Sequence, residues 1–172
     1  MVGIEPLLIN WFALWPLDGP FAPWQLVSYS FLHGSYLHLF FNMFGIYMFG
    51  SEIERHIGAR RFLEVYFTSV VIAAVAQLIV TSYIFPSPYP TLGASGGLFG
   101  VLLAFGLLFP QRRIMLLIPP IPMKAWVFVT LYGLLELGLG FSRAQTGVAH
   151  FAHLGGMLGG FLALRNLQRR RF

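Results

Sequence analysis

Ser95 is the residue of this chain that most clearly suggests chemistry, because it lies among glycines inside a long apolar run. A serine hydroxyl becomes a useful nucleophile only when a base lies beside it. Gly93 and Gly96 permit a tight turn into a helix, and the start of a helix leaves backbone N–H groups free to stabilise an oxyanion. Gly96 and Gly100 also let a second helix approach closely, so a structural role in helix packing is the alternative for this serine.

The candidate base is His153, which follows Ser95 by 58 residues and lies in a second glycine-rich apolar run. In that run, Gly156 and Gly160 have the four-residue spacing that brings two helix backbones together. His153 precedes Gly156 by three residues and therefore shares its helical face. If this face packs against the glycine face beside Ser95, the serine and the histidine come within hydrogen-bond reach.

His150, one helical turn before His153, is the competing base. It has no glycine three residues further on, because position 153 is itself a histidine, and we rank it second. A role for His153 as a hydrogen-bonding residue between helices is the structural alternative. Phe99, one turn after Ser95, could pack on the imidazole and fix its plane.

His38 and Asn42 form a third polar group in an apolar run. They are four residues apart, so they lie on one face of a helix. The amide of Asn42 is suited to donate a hydrogen bond to a developing oxyanion, and His38 can keep that region polar and hydrated. Hydrogen bonding between buried helices is the alternative for each residue.

The acidic residues are not spaced in a way that couples them to this group. Glu136 lies near the outer end of one apolar run and Glu64 near the inner end of another. We expect both to be structural or interfacial. The site is therefore predicted to be a Ser–His dyad, without a carboxylate to orient His153.

The composition indicates a membrane protein. The chain has 172 residues, of which 57% are hydrophobic and 10% are charged, whereas soluble domains carry about 25% charged residues. It contains no cysteine, which excludes disulfides and thiol-ligated metals. The net charge of +5 is spread over the ends of apolar runs, so membrane topology explains it and a nucleic-acid partner is not expected.

Five apolar runs are long enough to cross a bilayer, which takes about 20 residues. We predict an all-α, polytopic transmembrane bundle that forms one domain over residues 1–172, with charged or proline-rich connections such as 50–61 between the runs. The predicted spans are 34–51, 62–85, 94–110, 124–141 and 148–165.

The basic residues predict the orientation. Ten of the 11 lie in alternate connections and in the C-terminal tail, and Arg143 alone lies on the opposite side. The positive-inside rule therefore puts the C-terminus in the cytoplasm and the connection before Ser95 outside. Residues 1–33 are rich in tryptophan and proline and contain no lysine or arginine. We expect them to form a structured loop in the outer interface, and a disordered tail is the alternative.

Joined together, these residues resemble the rhomboid family of intramembrane serine proteases. The similarity covers roughly residues 5 to 165, and the motifs occur in the order that the family has. The matching motifs are His33 with His38 and Asn42; Gly93-Ala94-Ser95-Gly96; and Ala152-His153 with Gly156 and Gly160.

The resemblance implies that Ser95 is the nucleophile and His153 the general base. It implies an oxyanion hole made of Asn42, His38 and the Ser95 N–H, and no cofactor or metal. It also implies cleavage of transmembrane protein substrates near their outer end, inside a lipid bilayer. The residues expected to shape the site are Gly93, Gly96, Phe99, His33 and His150.

The sequence departs from the family in one respect. Rhomboids of the basic type have six spans, and here the first of them has no counterpart, so we expect the reading frame to continue upstream of Met1 into a further helix. A rhomboid-like protein that binds membrane clients without cleaving them is the alternative function. A bacterial inner membrane is the expected location and a mitochondrial inner membrane the alternative, while the substrate and the oligomeric state stay undetermined.

Overall fold

The computed structural model describes residues 6–115, 121–142 and 149–169, which are mostly helical. A 3₁₀ turn covers Tyr29–Phe31, and π-helical turns cover Ile46–Gly50 and Val80–Ile84. Two short strands, β1 (Arg113–Met115) and β2 (Pro122–Lys124), pair in antiparallel fashion, with Arg113 opposite Lys124. The helices are α1 (Pro6–Phe12), α2 (Gln25–Ser28), α3 (Tyr36–Gly45), α4 (Ser51–Ile57), α5 (Ala59–Ile79), α6 (Ser95–Leu108), α7 (Ala125–Ser142) and α8 (His150–Arg169).

Each predicted span overlaps one long helical segment. Two helices are long and apolar enough to cross a membrane by length and composition, namely Ala59–Ile84 and Ala125–Ser142, and Ser95–Leu108 is a shorter apolar helix. The count of five crossings stays a prediction. The connection predicted at 50–61 differs from expectation, because most of it is helical: α4 follows the first π-helical turn directly and ends at Gly58, whose φ of +87° breaks the helix before α5.

Helix α8 lies between α5 and α6 and touches both through glycine. A Cβ added at Gly156 would overlap the backbone of Gly96, and one at Gly160 would overlap the backbone of Gly100. On a neighbouring face of α8, a Cβ at Gly159 would lie 2.7 Å from the Ser69 Cα in α5. The close approach of the two glycine faces, which the spacing predicts, is therefore present. Side chains of ordinary size would hold these three helices further apart.

The N-terminal segment is structured over residues 6–33 and packs on the bundle. The Tyr29 hydroxyl donates a hydrogen bond of 2.9 Å to the Val70 carbonyl in α5. Leu14 forms a β-bridge with Thr91, in the connection that leads to Ser95. Trp11 and Trp24 stack with their ring centroids 6.3 Å apart. The segment therefore fixes the backbone just before Ser95, while its location in the outer interface stays a prediction.

Candidate active site

Ser95 is the first residue of α6 and is partly exposed. The connection before it is held at three points. Thr91 exchanges two backbone hydrogen bonds with Leu14, and the Gly93 N–H donates to the Tyr29 carbonyl at 3.0 Å. The Ala94 N–H donates to Nε2 of His33 at 3.3 Å. Gly93 has a φ of +128°, a conformation that favours glycine, so the turn into α6 depends on that residue.

His153 is in direct contact with Ser95. Its Nε2 lies 2.8 Å from the Ser95 Oγ, a hydrogen-bond distance. The predicted packing of Gly156 on Gly96 accounts for this contact, because it brings the start of α6 against the first turns of α8. The arrangement pairs a hydroxyl with a base at the spacing that nucleophilic catalysis requires.

Phe99 stacks on the imidazole of His153. The two rings are nearly parallel, with an interplanar angle of 6° and centroids 4.1 Å apart. The other aromatic partner of Phe99 is Tyr132 of α7, whose ring centroid lies 5.1 Å away. The contact expected from the position of Phe99, one turn after Ser95, is thus present, and it limits rotation of the His153 ring.

The expectation that no carboxylate lies beside His153 is wrong. Oε2 of Glu136 is 2.8 Å from Nδ1 of His153 and 2.7 Å from Nδ1 of His150. Glu136 is 17 residues from His153 and in a different helix, and no sequence spacing reveals how α7 packs on α8. One signal was available: a carboxylate within an apolar run is costly to bury unless it has partners. Two nearby histidines are suitable partners.

Glu136, His150 and His153 also form a group that could offer three ligands to a metal ion, since their ligand atoms all lie within 4.8 Å of one another. The two Nδ1···Oε2 distances, 2.7 and 2.8 Å, are those of direct hydrogen bonds. We therefore interpret the group as a hydrogen-bonded cluster. That the activity requires no metal or cofactor stays a prediction.

His38 and Asn42 lie on the side of Ser95 formed by α3. A Cβ added at Gly93 would come within 3.0 Å of Nε2 of His38 and 3.8 Å of Oγ of Ser95, so His38 lies next to the serine. Asn42 is buried, and its Nδ2 donates to the His38 carbonyl at 2.8 Å. Asn42 Oδ1 is buried without a hydrogen-bond partner. One hydrogen of the Asn42 amide is used by this bond, which leaves a second for another acceptor.

His33 has a position that the sequence did not specify. It accepts the hydrogen bond from Ala94, and its ring lies edge-on to His38 with centroids 5.1 Å apart. Burial and the neighbouring His38 lower the pKa of His33, and a hydrogen bond to the Phe31 carbonyl partly opposes this shift. A neutral ring is needed for Nε2 to accept from the backbone. His33 therefore supports the turn before Ser95.

Comparisons with known proteins identify the family of this chain. A family model described as the Rhomboid domain matches residues 20–170. The chain is 32% identical over 140 residues to Rhomboid protease GluP of Bacillus subtilis strain 168, covering 81% of this chain and 25% of that protein. It is 33% identical over 146 residues to the mitochondrial Rhomboid protein 1 of Saccharomyces cerevisiae, covering 80% and 40%.

A further relative is the Putative rhomboid protease YdcA of Bacillus subtilis strain 168, which is 34% identical over 142 residues, covering 81% of this chain and 64% of YdcA. The chain thus spans between a quarter and about two thirds of the length of these three curated relatives. Two long apolar helices accompany the family match. The chain therefore belongs to the rhomboid family and is an integral membrane protein.

Proposed function

We propose that this protein is an intramembrane serine endopeptidase that cleaves transmembrane protein substrates near the outer membrane face. Ser95 is its nucleophile and His153 its general base. The observation that carries the proposal is the 2.8 Å contact between the Ser95 Oγ and the His153 Nε2. Relatives named as proteases support the same reading.

The reaction follows from this contact. As Oγ of Ser95 attacks the carbonyl carbon of the scissile bond, its proton passes to Nε2 of His153. The protonated imidazole then gives that proton to the departing amine, which leaves an acyl ester on Ser95. Water, deprotonated by His153, hydrolyses the ester and releases the second product. The partial exposure of Ser95 gives a substrate access to Oγ.

Three donors are suited to the oxyanion that forms in each step. The Ser95 N–H is the first of α6, and the first N–H groups of a helix have no partner within it. The Asn42 amide has one hydrogen beyond its bond to the His38 carbonyl. The His38 ring lies next to Ser95 across Gly93. Preorganised donors of this kind typically contribute about 10² to 10³ in rate each.

The setting of the reaction is the lipid bilayer. We propose five spans in one domain, with the C-terminus in the cytoplasm and residues 1–33 in the outer interface, as the distribution of basic residues indicates. A bacterial inner membrane is the proposed location. A mitochondrial membrane is the alternative, since one relative is named as a mitochondrial protein.

A serine-directed fluorophosphonate probe tests the proposal. The purified protein in detergent should be labelled, and Ser95→Ala or His153→Ala should abolish both labelling and cleavage of a transmembrane reporter. Ser82→Ala and His56→Ala serve as matched controls. Ser82 accepts a hydrogen bond from the Leu17 N–H and His56 lies edge-on to Phe109, and neither contact includes a residue of the candidate site. These two variants should behave like the wild type.

Two results would contradict the proposal. The nucleophile is misassigned if folded Ser95→Ala protein still cleaves the reporter. If the wild type binds transmembrane segments but is neither labelled nor catalytically active, the protein is a rhomboid-like client-binding protein instead.

A further inference from the structure

Glu136 extends the candidate site by one residue. We propose that its carboxylate, held by His150, is a positioning residue that orients His153 for proton transfer and stabilises the imidazolium that forms there. The inference rests on the proposed protease function. It replaces the predicted dyad with a chain of four groups, from Ser95 through His153 and Glu136 to His150.

The hydrogen bonds define which nitrogen of each imidazole carries the proton. A carboxylate only accepts hydrogen bonds, so both Nδ1 atoms that lie near Oε2 of Glu136 are donors. A neutral imidazole with Nδ1–H has a lone pair on Nε2. In His153 this lone pair is directed at the Ser95 hydroxyl. Glu136 therefore selects the one neutral tautomer of His153 that can act as a base toward Ser95.

Burial of the charged Glu136 carboxylate costs free energy unless that carboxylate has partners. Glu136 and His150 are each 5% exposed and His153 is 8% exposed. A charged carboxylate in such surroundings is strongly disfavoured without partners. Among the ion pairs of the described residues, both that involve Glu136 are to these histidines. When His153 takes the proton from Ser95, its positive charge appears next to this carboxylate, where low polarity strengthens the attraction.

His150 has a defined part in this arrangement. Its Nδ1 donates to the same Oε2 atom, and its Nε2 is buried without a hydrogen-bond partner. The ring is perpendicular to that of His153, with centroids 6.4 Å apart. It therefore gives Oε2 of Glu136 a second hydrogen-bond donor beside His153. This accounts for a buried histidine that the chemistry at Ser95 does not itself use.

Two other titratable groups face the cluster, one from α3 and one from α7 itself. His38 of α3 interacts electrostatically with His153, and Tyr132, one turn before Glu136 in α7, interacts with Glu136. The hydrogen bonds of Oε2 within the described residues are to His150 and His153. Glu136 is the acidic group in direct contact with His153, so a change of that residue should be visible in the pH dependence of the reaction.

The test is Glu136→Gln, which keeps the size of the side chain and removes its charge. We expect kcat to fall at least tenfold with KM within about twofold, because the loss appears as charge develops. We expect the acidic limb of the pH–rate profile to move to lower pH, because the imidazolium of His153 loses the adjacent opposite charge. Glu136→Asp keeps the charge. It should restore part of kcat and return the acidic limb part of the way to its wild-type position.

Glu64→Gln is the matched control. Glu64 lies in α5, where it pairs with Arg60. The α5 atoms nearest Gly155 of α8 belong to Ile72, Ala73 and Ala76, of which Ile72 is nearest to Glu64 in sequence. That separation is eight residues, or roughly 12 Å along the helix. Its amide variant should have the kcat, KM and pH profile of the wild type.

Several results would overturn the inference. One is a folded Glu136→Gln protein with the kcat and pH profile of an active wild type. Another is a fall in kcat with no movement of the acidic limb and no restoration by Glu136→Asp, which would make Glu136 structural. If Glu136→Gln does not fold, ¹⁵N-histidine NMR of the wild type decides instead: Nδ1–H on His153 supports the inference, and Nε2–H overturns it.

Failure of the proposed function is a separate result. A wild type that is neither labelled by the fluorophosphonate probe nor able to cleave ends both proposals. If the wild type is active and the Glu136→Gln variant has the same kcat and pH profile, only the inference about Glu136 fails.

Discussion

Gly156→Ala is the change that most directly tests how the reacting pair is held. The added Cβ would overlap the carbonyl oxygen of Gly96 and lie 2.8 Å from its carbonyl carbon. Because comfortable contacts between carbon atoms are about 3.5–4.0 Å, α6 and α8 must separate by roughly 1 Å. The Ser95–His153 hydrogen bond, now 2.8 Å, would then exceed the usual limit for such a bond.

The magnitude follows from that displacement. A misplacement of about 1 Å in reacting groups costs about 10²-fold in rate, and inserting a methyl into a close-packed interface costs about 1–3 kcal/mol of stability. The assay is the rate of fluorophosphonate labelling, with the melting temperature in the same detergent. Gly138→Ala is the matched control, since a Cβ there meets nothing within 4 Å. If Gly156→Ala has the same labelling rate and melting temperature as Gly138→Ala, the close contact between α6 and α8 is refuted.

Three further predictions use probe labelling, cleavage of the transmembrane reporter and the melting temperature. His153→Ala should abolish labelling whereas His150→Ala should leave much of it, and the reverse order would place the base one helical turn earlier. Asn42→Ala should lower turnover about 10²-fold with KM nearly unchanged, because the donor acts as charge develops; weaker binding with intact turnover would make it structural. His33 has a lowered pKa, so its stabilising bond from Ala94 is fully present above about pH 6.5 and is lost as the pH falls through the lowered value. The melting temperature should therefore drop more between pH 8 and pH 5 for the wild type than for His33→Gln, and equal drops would contradict this.

The arrangement of α6 and α8 could be predicted from the sequence because glycine spacing encodes it. A four-residue repeat of glycines on each of two helices lets both faces pack closely, although α8 also has Gly155 and Gly159, which face α5. With Gly156 and Gly160 facing α6, Ser95 and His153 meet. The extent of α5 to α8 was likewise close to prediction, since each apolar run is bounded by prolines or charges.

The part that could not be predicted depends on tertiary packing. Glu136 meets His153 through the docking of α7 on α8, which leaves no repeat in the sequence of either helix. His33 meets Ala94 across 61 residues for the same reason. The helical course of α4 was missed because its charges resemble those of a connection, although its length and the stop at Gly58 are those of a helix.

The seam between α6 and α8 has a consequence for the entropy of the site. Gly96, Gly100, Gly156 and Gly160 meet through main-chain atoms, so the seam contains no side-chain rotamers that fluctuate. Direct main-chain contact therefore sets the spacing of the two helix backbones that carry Ser95 and His153. Under the proposed function, folding already orders the backbones that carry Ser95 and His153, so less conformational entropy of the protein is lost when a substrate binds.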